Sequence, residues 1–512
     1  MKKSCLLLLP LLAATGCQAQ TDSLRQESRQ LNLGISFLTH GEACGGGLPR
    51  SADGSTPTED RSSFLLGRFR LNVDYERLWE RLRVGERSSG MGNGTPGMRQ
   101  TGGRGGTPGM RPGLQAHAVI QNSAVWGMNG NQALKLYEGW VKMTARSGLF
   151  AQVGRVALAY DDERIIGPND FATASLSHDV LRAGYEGCGH RAHVILAYNQ
   201  TGDQVYSGTY YDNGAQLYKT MQTVWYHYDV PKFPLGASLL FMNIGQQAGI
   251  AGNAQNPPST KYQQLFGGYV STDLGRLFGK SCRPKLVTLE GSYYRQTGKL
   301  VNDEKKPVRI KAWMASVKAT VMPSDRYGLV LGYDYLSGDD YVPVVYGGTL
   351  GLPYHGVEGG FTPMYGSRTK FYGMMDYFYE SAYTQGFTPG LQNAFLGLTG
   401  KPAPQLSCSA TYHYLATATE LSGLDRTLGH SIELQASYKF SGDISLAACF
   451  TQMTGTETLD RLKQGNAGKR ARWGWFSLIV SPSLFTIKSN PCQPLHRPSR
   501  EFSSPKGQYC QG

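Results

Sequence analysis

No stretch of this 512-residue chain holds the roughly 18 consecutive apolar residues that a membrane-crossing helix needs. Lys and Glu are too sparse for a helical bundle. The chain has no HExxH, no GxSxG and no Walker loop, and its ten histidines are dispersed, so no hydrolytic, zinc-protease or nucleotide-binding motif stands out. Nine cysteines lack the paired short spacing of a zinc site, and no disulfide framework, metal or cofactor is expected. Cys408 and Cys449 fall on the apolar phase of strand-like runs, where a free thiol acts as a small hydrophobe. The acidic clusters Asp161-Asp162-Glu163 and Asp339-Asp340 offer carboxylates to Ca²⁺ but are read first as solvated turns.

What the chain does contain is turn-rich, tyrosine-rich β pattern. Gly numbers 65 and Tyr 30, hydrophobic residues make up 40%, and mean hydropathy is −0.34. Ile432, Leu434, Ala436, Tyr438 and Phe440 alternate with Glu433, Gln435, Ser437 and Lys439, and Phe371, Met375, Tyr377 and Tyr379 alternate with Asp376 and Glu380. A two-residue period means a strand with one oily and one wet face. Ten such residues, tilted by roughly 40°, cover about 25 Å, the apolar height of an outer-membrane barrel. A soluble propeller or solenoid shares this composition; the N-terminus favours export instead. Lys2 and Lys3 precede the apolar run Leu6–Leu12 and the small residues Ala13 and Ala14, with a cut expected after Ala19, the layout of a signal peptide over 1–19. Gly16-Cys17 also resembles a lipoprotein junction, although Ala14 stands where that pattern prefers Leu.

The fold class expected is all-β: a transmembrane antiparallel barrel over residues 20–488 with a polar lumen. Strand-like runs lie near 31–39, 63–76, 114–126, 134–146, 149–160, 178–187, 190–200, 218–229, 235–246, 261–272, 284–295, 309–321, 326–336, 369–380, 390–400, 405–417, 429–440, 443–453 and 472–485. Nineteen is odd, single-chain bacterial barrels are even, and about 18 strands are expected. Short connections such as Ser147-Gly148 and Ser441-Gly442-Asp443 alternate with long ones at 161–177, 201–217, 247–260, 337–368 and 454–471, which places the long ones outside the cell. Residues 86–113 contain GTPGMR twice among Gly and Arg and read as a flexible insertion. The tail 489–512, with four prolines and no period, reads as disordered, so the barrel is expected to close at Phe485.

A lipid-facing Arg or Lys near the membrane midplane costs about 2–4 kcal/mol, so strand cations belong inside or at a rim. Arg155 and Arg182 in strands and Arg164 in the loop between them form the candidate luminal set, followed by Arg295, Lys311, Lys318 and Lys439. Lys311 and Lys318 have opposite phases, which places one of them at a rim. Rings of Arg or Lys filter anions, and the guanidinium fork pairs with carboxylates. The competing reading is that these cations brace the barrel against Asp334, Asp376, Glu380 and Glu433. Trp140, Trp225, Trp313, Trp473 and Trp475 suit interfacial girdles. The net charge of +13 includes the insertion and the tail, so it says little about the lumen.

Three blocks resemble the alginate export family of outer-membrane porins, Bacteroidetes type. The first, within Leu149–Tyr185, is GRVALAYDDERIIGPNDF followed by a return strand with Asp179-x-x-Arg182; the second is KFYGMMDYFY at Lys370–Tyr379 with the strand pair Gly390–Ala418; the third is Leu428–Leu462 with a Trp-rich strand from Trp473. The resemblance implies an eighteen-stranded barrel passing acidic oligosaccharides or other anions, and it favours Arg155, Arg164 and Arg182 for selectivity. The insertion, the cysteines and the residues beyond Phe485 depart from the pattern. Expected partners are an anionic solute, outer-membrane lipid and the barrel-insertion machinery, with no nucleic acid and a monomeric state. An adhesin using 337–368 and 454–471 and a barrel hydrolase are the alternatives; the latter needs a Ser, a His and an acid near one rim, and no such spacing is visible.

Overall fold

The computed structural model describes residues 25–46, 61–81, 112–128, 133–171, 175–202, 209–211, 214–231, 233–276, 286–339, 344–346, 349–351, 357–375, 378, 388–421, 423–463 and 470–489. The expected signal peptide 1–19, nearly all of the 86–113 segment and the residues after Ser489 lie outside them. Among the described residues, eighteen antiparallel strands close into one barrel. They are β1 (Arg25–Gly45), β2 (Arg61–Arg81), β3 (Gly113–Val125), β4 (Ala133–Thr144), β5 (Leu149–Val156), β6 (His178–Gly187), β7 (His190–Tyr198), β8 (Thr220–Asp229) and β9 (Leu235–Ala248). The circuit continues with β10 (Ser259–Asp273), β11 (Val287–Val301), β12 (Ala312–Val321), β13 (Tyr327–Leu336), β14 (Leu391–Ala403), β15 (Leu406–Ala416), β16 (Thr427–Lys439), β17 (Ile444–Gly455) and β18 (Ala471–Val480, resuming as Ser483–Ser489). Each pairs with its sequence neighbours, and β18 closes on β1. The break at Ser481-Pro482 follows from proline's missing N–H. Phe485 stands opposite Leu33, but pairing continues to Ser489 opposite Arg29, so the wall does not end at Phe485 as expected.

The surplus nineteenth run is 369–380. Arg368–Lys370 is a single 3-10 turn, Tyr372 and Gly373 follow with φ of 60° and 99°, and the segment belongs to the connection between β13 and β14. A positive φ at a bulky tyrosine is incompatible with a strand. Residues 376, 377, 379 and 380 are outside the described set.

Alternation then sorts the walls. In β16, Ile432 and Leu434 are 49% and 48% exposed, whereas Glu433 between them is 6% exposed. Val194, Leu196, Val224, Leu239, Phe241, Val317, Leu396 and Phe450 are likewise exposed, and together they give the apolar outer belt that lipid requires. The tight connections 188–189, 404–405 and 440–443 share one rim with Arg25, Ser489 and the strand ends flanking 82–111, and the longer connections share the other. An outer-membrane barrel with the short-turn rim in the periplasm follows.

The interior is not uniformly wet. Inward side chains of β7 to β12, including Ile195, Met221, Leu240, Met242, Ile244, Leu265 and Met314, are buried and form one apolar cluster. They are covered by Leu158, Ile165 and Ile166 from the β5–β6 connection and by Phe361, Tyr365 and Tyr372 from the β13–β14 connection. At roughly 1.5–3 kcal/mol for each large apolar side chain buried, this sector holds two loops inside the barrel. Polar residues line other inward positions, among them Gln121, Asn393, His413, Ser431, Glu433 and Thr451.

Cys449 is buried on the inward phase beside Thr451, not on the apolar outer phase. Trp225, Trp473 and Trp475 also point inward, donating to Asp161, donating to Glu42 and packing on His40 respectively, while Trp140 donates to Glu138 beside His117. Of the five tryptophans expected in girdles, Trp313 takes the outward phase, stacked 4.7 Å from Tyr335. Tyrosines such as Tyr226, Tyr262, Tyr293, Tyr333, Tyr412 and Tyr414 complete the exposed aromatic set.

Candidate functional site: a constriction built by two inward loops

The first inward loop, described over 157–171, crosses the lumen. It leaves β5 and lays Tyr160 against His193 of β7, 3.0 Å from hydroxyl to Nδ1, and against Trp225 of β8. Asp161 accepts from Trp225 Nε1 at 3.1 Å. Arg164, 5% exposed, reaches β12 and β13: its guanidinium donates to Ser316 Oγ at 3.1 Å and lies 3.2 Å from Asp334 Oδ1 and 3.2 Å from Asp162 Oδ2. On the far side Asp170 receives Arg68 at 2.7 Å and both terminal nitrogens of Arg70 at 2.8 and 2.7 Å. Phe171 then packs on His40 of β1 and Trp475 of β18.

The second loop, described over 357–375, braces the first. Ile166 and Tyr365 form a parallel bridge, Ser367 and Lys370 bind Glu163 at 2.8 and 2.5 Å, and Arg368 N donates to Asn169. Tyr372 accepts from Arg164 at 2.8 Å, and the guanidinium lies 4.2 Å from the Phe371 ring centre. Glu433 of β16 holds the end of this loop through Met374 N. Asp339, buried, accepts from Gly359 N and Thr388 N, and Asp161 is buried enough to lift its carboxyl to about 6, with Asp162 adding to the shift against hydrogen bonds from Ser238 and Trp225. Asp161 and Asp339 are therefore not in solvated turns, Asp340 lies outside the described residues, and among the described residues no metal-ligating group forms.

The seven sequence-predicted cations scatter. Arg164 is luminal but neutralised by Asp162 and Asp334. Arg182 is on the inner wall of β6, donating to Tyr160 Oη at 3.3 Å, with Lys142 nearby and Glu186 shared between them and His193. Arg155 shares the outward phase of Leu149 and Val153 at the long-loop rim and is bound in two-point fashion to Asp179 at 2.8 and 2.7 Å. Arg295 and Lys311 are exposed on the outward phase near that same rim. Lys439 is at the opposite rim, at the end of β16. Lys318 is inward and bound to Glu290 at 2.6 Å. Arg155, Arg295 and Lys311 therefore do not line the lumen: each sits high enough on its strand for an outward cation to clear the apolar belt.

The residues missed are Arg68 and Arg70. Both are inward and 8% exposed; Arg70 also donates to Gln121 at 2.8 Å and lies 4.1 Å from the Tyr137 ring centre. Lys135, opposite Gln121, lies within electrostatic reach of both arginines and of Asp170. Two arginines thus meet one carboxylate where the crossing loop touches β2, with Lys135 in electrostatic reach. Phase would have found the arginines, because they alternate with Phe69 and Leu71.

Two Ser–His–acid groupings line the wall: His40 with Ser477 at 2.5 Å and Glu42 at 2.9 Å, and His227 with Ser238 at 2.7 Å and Asp229 at 3.0 Å. Each serine stands directly opposite its histidine across a ladder, whose N–H groups serve strand pairing rather than an oxyanion. His40 is fully buried beneath Phe171. These are cross-strand braces.

No family model matches the chain, and no curated protein matches it, so the alginate-export resemblance rests on its residues alone. The structure is similar to Acinetobacter baumannii OccAB1 (13% identity, 89% of this chain, 97% of that chain, TM-score 0.54). It is also similar to Pseudomonas aeruginosa OccK9 (OpdG) (11%, 88%, 98%, 0.52) and P. aeruginosa OccK11 (OpdR) (13%, 88%, 96%, 0.51). What the chain shares with these outer-membrane porins is the closed 18-strand barrel.

Proposed function

We propose that the protein is a passive outer-membrane channel for small acidic solutes, acidic oligosaccharides among them, with no chemical step. The observation that carries this reading is the constriction itself, where Arg68 and Arg70 share the carboxylate of Asp170, with Lys135 in electrostatic reach, beside a loop pinned across the lumen. Fixed cations beside a loop that crosses the lumen attract anions and repel cations. Arg182 and Lys142, sharing Glu186, continue the positive side of the wall towards the periplasm. Liposomes carrying the protein test this: a uronate disaccharide should enter faster than a neutral disaccharide of equal size, and Arg68→Gln/Arg70→Gln should remove most of that difference. Equal entry of both sugars into wild-type liposomes would defeat the reading.

A further inference from the structure

Four cations collect on the outer face of the barrel at the long-loop rim. Pro307 to Trp313 alternates strictly: Pro307, Arg309, Lys311 and Trp313 are exposed, while Val308, Ile310 and Ala312 are buried. The neighbouring strand β11 presents Tyr293, Arg295 and Lys299 on the same exposed side. Across this seam Lys299 stands directly opposite Arg309, and Arg295 opposite Trp313.

Like charges directly opposite one another are destabilising, and among the described residues no acid is seen to relieve them. Among the described residues, none of the four has a carboxylate partner. Glu304 is taken by Lys306 at 2.7 Å, and Glu358 stands opposite Ile310 on the inward phase, where burial and nearby Asp339 raise its carboxyl to about 7.

Depth identifies what would meet these charges. Trp313 stacks with Tyr335 and lies 6.1 Å from Tyr293, with Phe266 opposite Arg295, an aromatic group of the kind that marks the lipid–water boundary. Lys311 and Arg309 stand two and four residues beyond Trp313, about 5 and 10 Å further out along a tilted strand. That is headgroup depth on the outer leaflet. Arginine and lysine there offer donors matched to phosphate oxygens.

We propose that Arg295, Lys299, Arg309 and Lys311 form a docking site for the phosphate groups of an outer-leaflet lipid. The site lies outside the lumen and is independent of what the channel conducts. Its test is native mass spectrometry of the full protein in detergent, incubated with a bisphosphorylated acylated disaccharide lipid, with the same lipid dephosphorylated, and with inorganic phosphate. Wild-type protein should retain the phosphorylated lipid about tenfold better than its dephosphorylated form, and Lys299→Gln/Arg309→Gln should lose about tenfold of that retention, with single-channel conductance unchanged. Equal retention of the two lipids by wild type would overturn the proposal even if the variant fails to insert. So would undiminished retention by a folded variant, or inorganic phosphate displacing the lipid at equal molarity, which would assign the site to a free anion.

Discussion

Arg164 illustrates how one buried charge fixes a loop. Its guanidinium touches Asp162 on its own loop, Ser316 and Asp334 on the wall, and Phe371 and Tyr372 on the second loop. Desolvating such a set gives little net stability, but removing one partner leaves charges buried without compensation, at a cost of about 3–5 kcal/mol. Arg164→Ala should therefore release residues 157–171, seen as faster proteolysis within that loop and a larger single-channel conductance. Adding Asp334→Asn should recover part of the loss, because the stranded carboxylate is then neutral. Unchanged proteolysis in Arg164→Ala would show that the apolar cluster alone holds the loop.

At the scale of elements, the crossing loop carries its own pH response. Burial lifts Asp161 from 3.8 to about 6, so the seated loop binds this proton more tightly than a released loop would. Seating is then favoured fully below about pH 4, and the advantage is lost as pH rises through about 6. Current fluctuations from loop movement should be fewer at pH 5 than at pH 7.5, and Asp161→Asn should flatten that dependence. A wild-type record with the opposite trend would contradict the assignment. The strands themselves were legible because lipid on one side and water or packed polar groups on the other impose a two-residue period; Ile432 to Phe440 reads the same in sequence and in structure. The misleading case, 369–380, shows the limit of that signal. Phe371 and Tyr372 face Arg164 and the first loop, and a loop segment packed on one side and open on the other can mimic a strand's alternation. Which arginines face inward was only partly legible. Arg68 and Arg70 flank Phe69 and announce their phase, whereas Arg295 follows two consecutive tyrosines, Tyr293 and Tyr294, so either phase fits. Nothing local reveals that Asp170 will cross the lumen to reach β2.

For the whole molecule, closure turns distant residues into one site. His40 meets Ser477 across the β1–β18 seam, Asp170 meets β2, and Arg164 meets β13; each contact exists only because the wall returns on itself. The outer belt and the dry sector behind β7 to β12 then divide the work of lying in lipid and holding the loops, and the charged site beside β2 is where the proposed sorting of solutes takes place. The most direct measurement is the reversal potential of single channels in a KCl gradient across a planar bilayer. A sign showing chloride preference, weakened in Arg70→Gln, is the expected result; potassium preference in the wild-type channel, or a folded barrel that carries no current, would contradict the account.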